Sequence, residues 1–193
     1  MWAGIDFGSK TAGTTVICFG KTPTQLDIIG TNRKQDADTF LLSILSGVRP
    51  EFATIDAPLT LPVVYTHPEK GSDFFYRAVD KELKAMSPMF MGGLTARAIK
   101  LKQECAGFKI PLFETYPAAF VKQFGLEMYY NKKDPQLLSS FVIDLLRFFP
   151  VNVPVEQLPT WHHVDALMAW MSCYRMAHDE QLTFGDDEGQ IFI

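Results

Sequence analysis

Gly4-Ile5-Asp6-Phe7-Gly8-Ser9-Lys10 decides how the rest of the chain is read. Trp2, Ala3 and Ile5 are apolar or small, and the run then meets Asp6. Beyond Gly8 and Gly13 a second apolar run follows, Thr14-Thr15-Val16-Ile17-Cys18-Phe19. The pattern reads as strand, tight turn, strand. A carboxylate in the first buried strand is expensive to desolvate unless a cation or donors compensate. Two readings of Asp6 stand at this point: a site carboxylate, or a turn cap acting through its side-chain oxygen.

Working outward, Leu26, Ile28 and Ile29 mark a third strand over Gln25 to Thr31, which makes an antiparallel meander. Asp36 or Asp38 caps a short helix carrying Phe40, Leu41, Ile44 and Leu45, with Gly47 as its expected end. Phe52-Ala53-Thr54-Ile55-Asp56 is a brief strand, expected parallel to the first because a helix precedes it. Leu59 to about Ser72 is loop-like, and its length inside a compact domain points to a functional loop. A helix is expected over Asp73 to Met86, then a Gly92-Gly93 hinge and a basic helix from Thr95 to Glu104. Ile110 to Glu114 is a further strand ending in a carboxylate, and Pro117 starts a helix to about Phe124. Asp134-Pro135 opens a helix through Phe148. Thr160 caps the last long helix, Trp161 to His178, and Gly189 to Ile193 is expected as an edge strand. The whole is expected to be a single domain, 1–193, with a helical and loop insertion over about 59–107.

The chain has 193 residues, 47% of them hydrophobic, which suffices for one α/β domain with a sizeable core. With a formal net charge of −4, any nucleic-acid surface must be a local patch. Cys18, Cys105 and Cys173 match no zinc spacing and point to a reducing compartment, hence a cytoplasmic location. No start resembling a signal peptide and no run long enough to span a membrane is expected. The oligomeric state is not legible.

Three expected strands carry an acid at or near their ends: Asp6, Asp56 and Glu114. The last helix sets Asp165 among Val164, Ala166, Leu167, Ala169 and Trp170, with His162 three residues earlier on the same face. In an open α/β sheet, sites form at the carboxyl ends of parallel strands. Carboxylates converging there raise one another's pKa, and a divalent cation removes that penalty. Oxygen ligands suit Mg²⁺ or Mn²⁺, and two such ions about 4 Å apart can drive phosphodiester hydrolysis.

These motifs, in this order, resemble a family. Gly4-Ile5-Asp6-Phe7-Gly8, Thr54-Ile55-Asp56-Ala57-Pro58-Leu59, Glu114-Thr115-Tyr116-Pro117 and His162-His163-Val164-Asp165-Ala166-Leu167-Met168-Ala169 resemble the ribonuclease H-like nuclease family known only as domain of unknown function 429. The likeness extends to Arg77, Asp80 and the closing Gly-Gln-Ile-Phe-Ile, and the late helix is similar to that of Holliday-junction resolvases. The resemblance implies a ribonuclease H-like fold: a five-stranded mixed sheet, with an antiparallel meander first, parallel strands after and flanking helices. It also implies a two-metal nuclease site on nucleic acid, with Asp6, Asp56 and Asp165 as metal ligands; on the nuclease reading, Glu114 or His162 is expected to support a water. Resolvases place a second acid where this chain has His162.

Lys10, His67, Arg77 and His162 are the candidate substrate contacts. Each has a plainer reading: Lys10 as a solvated turn residue, His67 as a loop residue beside Pro68, Arg77 as part of a solvated helix face with Lys81 and Lys84, His162 as a helix-start residue. Arg97, Lys100 and Lys102 form a second basic run. Tyr65, Phe74, Phe75 and Tyr76 are candidates for stacking on bases, or for core packing. Two other function classes compete. An actin-like nucleotide-binding protein shares the Asp-Phe-Gly-Ser hairpin but needs two domains, and the glycine spacing of a P-loop is absent. A non-catalytic nucleic-acid-binding or scaffold protein is favoured by the negative charge. The reading turns on whether Asp6 and Asp165 meet.

Overall fold

A computed structural model describes residues 1–193. Three strands form the meander: β1 (Trp2–Asp6), β2 (Val16–Thr22) and β3 (Gln25–Gly30). Helix α1 (Ala37–Val48) leads to β4 (Phe52–Asp56), and α2 (Ala78–Leu83), α3 (Pro88–Met91) and α4 (Gly93–Gly107) fill the connection to β5 (Leu112–Glu114). Then come α5 (Pro117–Gln123), α6 (Leu138–Phe148), α7 (Trp161–Met176), β6 (Thr183–Asp186) and β7 (Gly189–Phe192).

The sheet is mixed and has seven strands, not five, in the order β3-β2-β1-β4-β5-β7-β6. β1 pairs antiparallel with β2 and parallel with β4, and β4 runs parallel to β5. The two additional strands are a C-terminal antiparallel hairpin, β6–β7. The tail is therefore not an edge strand: β7 lies between β5 and β6, and β6 is the edge. Alternation along β6 is weak, with its residues mostly exposed, so its sequence carries little strand signal.

Helices cover both faces. Ala3, Ile5, Ile17, Ala53 and Ile55 pack with Leu41 and Leu45 of α1 and Ala98, Leu101 and Cys105 of α4. The opposite face packs Val16 and Cys18 with Phe120, Phe141, Leu145 and the α7 residues Val164, Leu167 and Trp170. Almost every α7 side chain from Val164 to Cys173 is buried, which is why the helix reads as apolar all round.

Local boundaries differ from expectation where side chains compete for backbone donors. The Asp36 carboxylate caps α1 through the amides of Asp38 and Thr39, but the helix passes Gly47 and ends with Arg49 in the left-handed region, φ 49°. Asp73 accepts hydrogen bonds from the Phe75 and Tyr76 amides, a local turn that delays α2 to Ala78. Asp134 likewise caps a 3₁₀ turn, Pro135–Leu137, before α6 begins.

Candidate metal centre

The register of the two central parallel strands builds the first half of the site. Trp2 pairs with Phe52 and Asp6 with Asp56, so the two aspartates stand side by side at the carboxyl ends of β1 and β4, on one face. Two residues earlier on that face are Gly4 and Thr54. Both are small, and α7 lies directly on them. A Cβ at Gly4 would stand 1.9 Å from the Trp170 amide nitrogen, and the Thr54 hydroxyl donates to the Ala169 carbonyl at 2.7 Å. This close approach lowers Asp165, one turn earlier on α7, onto the strand ends.

One carboxylate oxygen from each of Asp6, Asp56 and Asp165 lies within 4.8 Å of the other two. Asp6 and Asp165 are buried, and Asp56 is half-buried. Burial, then the neighbouring Asp6 and Asp165 charges, pushes the Asp56 carboxyl well above the usual carboxylate range. Burial also raises Asp165, to about 6, against the opposing pull of Lys132. Asp56 and Asp165 are therefore held charged at a penalty that a cation would relieve.

His162 behaves as its helical spacing suggests. Its Nδ1 lies 2.7 Å from Asp6 Oδ2, and that hydrogen bond raises the pKa of the half-exposed imidazole. His163 turns away and bonds the Thr160 hydroxyl at 2.7 Å.

Glu114 does not join the cluster. It pairs in register with Ile55, not Asp56, and a one-residue offset puts a strand side chain on the opposite face of the sheet. There it receives Arg77 at 2.7 Å on each oxygen and the Leu59 amide at 3.0 Å. Arg77, expected as a substrate contact, is instead 0% exposed. All five of its N–H groups are engaged by Asp80, Glu114 and Thr60. The pair with Glu114 is a buried strut beneath the loop after β4, with no donor left for a ligand.

The other candidate contacts are exposed. Lys10 Nζ lies 3.2 Å from Asp36, and His67 Nδ1 lies 3.5 Å from Glu69. Lys10 shares a shallow cleft with Ser9, Thr11, Ala12, Arg33 and Lys34, which begins three residues beyond Asp6. Two loops zip together to form it, through Lys34 N to Thr11 O at 2.8 Å and Ala37 N to Lys10 O at 2.9 Å. Arg97 is not part of a free basic face: it chelates Asp38, covers the Phe7 ring at 4.5 Å and donates to the Gly8 carbonyl at 3.0 Å. It thereby steadies the turn that follows Asp6.

Two residues that touch the candidate site lie outside the expected set. The Tyr130 hydroxyl donates to Asp165 Oδ1 at 3.1 Å, and the Lys132 ammonium contacts Asp165 Oδ2. Both come from an irregular strap between α5 and α6, whose sequence shows no periodicity to mark it.

No protein-family model matches the chain, and no curated protein matches it. Among solved structures, Thermus thermophilus RuvC is similar at 18% identity, over 93% of this chain and 96% of that one, with a TM-score of 0.43. The same organism's RuvC in complex with a Holliday junction substrate is similar at 15% identity, with the same coverage and TM-score. No helix is long and apolar enough to cross a membrane.

Proposed function

We propose that this chain is a divalent-cation-dependent nuclease that hydrolyses phosphodiester bonds of nucleic acid. The observation that carries the reading is the convergence of Asp6, Asp56 and Asp165, from three remote segments, within 4.8 Å at the carboxyl ends of parallel strands. The donor set is hard oxygen, with no thiolate, which suits Mg²⁺ or Mn²⁺ over zinc. Asp56 gains nothing from any protein hydrogen bond, since none contributes to its state. Its lone pairs are available to an ion.

Asp6, Asp56 and Asp165 would hold the ion, which would supply activation of a water and stabilisation of charge on the phosphoryl oxygens. The remaining work falls to the chain. Asp6 orients the His162 ring through Nδ1 and favours its protonated form, which leaves Nε2 to exchange a proton with water or a departing oxygen. In this reading the cleft of Lys10, Arg33 and Lys34 takes up phosphates of the bound strand, which would supply positioning without sequence preference. The local cationic cluster reconciles a nucleic-acid substrate with the net charge of −4.

End-labelled single-stranded, duplex and branched oligonucleotides, incubated with Mg²⁺ or Mn²⁺, test the proposal. Cleavage is expected with the native chain and absent from Asp6→Asn. Equal cleavage by that variant would refute the assignment.

A further inference from the structure

The three carboxylates are not equivalent, and their difference bears on how many ions the site takes. Asp165 has a donor on each oxygen: the Tyr130 hydroxyl on Oδ1 and the Lys132 ammonium on Oδ2. Asp6 has one partner, His162 on Oδ2, and Asp56 has none. Open coordination sites are therefore concentrated between Asp6 and Asp56, which the strand register holds side by side. Asp165 is already served by a cation.

Lys132 is not a loose surface side chain that happens to reach inward. Two residues before it, the Tyr130 ring packs on Phe141 and Trp161, at 5.1 and 5.5 Å between centroids. That anchor ties the strap to α6 and to the first turn of α7, the turn that precedes Asp165. The amine pairs directly with the Asp165 carboxylate, an opposite charge that favours its charged form. The side chain stays cationic at neutral pH.

We propose that the centre is built for one divalent cation, held by Asp6 and Asp56, and that the Lys132 ammonium on Asp165 occupies the place of a second ion. This rests on the metal-dependent reading above and revises the two-ion expectation. The charges support it. Three ionised carboxylates with one ammonium leave two negative charges, enough for one divalent ion, and a proton on His162 leaves still less for a second. Two divalent ions beside the ammonium would leave the pocket strongly positive. Position argues the same way, since the Lys132 ammonium already takes the Asp165 oxygen, Oδ2, that a second ion beside Asp6 and Asp56 would need.

The test is Mn²⁺ stoichiometry on the full chain, read by calorimetry and by electron paramagnetic resonance, neither of which depends on turnover. The native chain is expected to bind one Mn²⁺, with no spin coupling between ions. Asp56→Asn is expected to lose that ion, and Asp165→Asn to keep it. Lys132→Met, which keeps the length of the side chain and removes its charge, is expected to admit a second, spin-coupled Mn²⁺. Two coupled ions in the native chain, or loss of the ion in a folded Asp165→Asn, would overturn this inference while leaving the nuclease reading intact. Absence of any Mn²⁺ binding would overturn the nuclease reading together with it. If Lys132→Met does not fold, the native stoichiometry still decides.

Discussion

Adding a single methyl group at Gly4 tests the contact on which the candidate site depends. A Cβ at this position meets the Trp170 nitrogen at 1.9 Å and the Ala169 carbonyl carbon at 2.5 Å. Both are helix backbone, so no rotamer change relieves the overlap. In Gly4→Ala, α7 must withdraw by about 1 Å before the contact becomes tolerable, because interiors are close-packed. Overpacking of this kind costs about 3 kcal/mol, the upper part of its usual range, since nothing flexible yields. For a chain of this size that is a fall in Tm of about 6–12 °C. The same withdrawal carries Asp165 and His162 away from Asp6, and a misplacement of about 1 Å can lower a rate about 100-fold. Circular dichroism melts and oligonucleotide cleavage by the refolded variant measure the two effects. Gly47→Ala is the matched control: it lies in α1 with nothing within 4 Å of the added carbon, and is expected to stabilise by about 1 kcal/mol. An unchanged Tm and rate in Gly4→Ala would refute the account of how the helix sets the site.

Three further outcomes follow from the electrostatics. Asp56 has a folded pKa above its unfolded value, so its contribution to stability falls as pH rises from about 4, its unfolded pKa, through that raised value; Asp56→Asn is therefore expected to raise the metal-free Tm at pH 7 by the equivalent of about 1 kcal/mol, while abolishing stabilisation by Mn²⁺. His162 should titrate above its ordinary value in NMR spectra and return toward it in Asp6→Asn; since the shift is upward, the stability it contributes is present at acidic pH and is lost as pH rises through the folded pKa. Arg77→Met strands Glu114 and Asp80 as buried, unpaired acids and is expected to cost about 3–5 kcal/mol in denaturant titrations, whereas Glu114→Gln should leave Mn²⁺ affinity unchanged because that residue faces away from the centre.

Much of this chain was legible from the sequence alone. The meander, the helix-then-parallel-strand step to Asp56 and the long last helix follow from periodicity and punctuation, and the strand-end rule draws Asp6, Asp56, Glu114 and Asp165 together; the narrower set of Asp6, Asp56 and Asp165 comes from the family resemblance. Parity along the strands was also there to be read. Asp6 and Asp56 each follow a small residue two positions earlier, Gly4 and Thr54, which a helix can approach closely. Glu114 follows Leu112, which belongs to the opposite core. That contrast separates the two site carboxylates from the structural one.

Other features were decided only by tertiary structure. The charges of Arg77 and Arg97 look alike in the sequence, as members of basic helical runs. Only the fold shows that both are consumed, one by Glu114 and Asp80, the other by Asp38 and the Gly8 carbonyl. Lys132 lies 33 residues from Asp165 along the chain, on a strap with no repeating pattern, and nothing local marks their contact. The physical reason is one of range. Backbone propensity and the alternation of apolar residues act over a few neighbours and are written into the sequence, whereas the partner of a charge is chosen by whichever distant segment packing brings within a few ångströms.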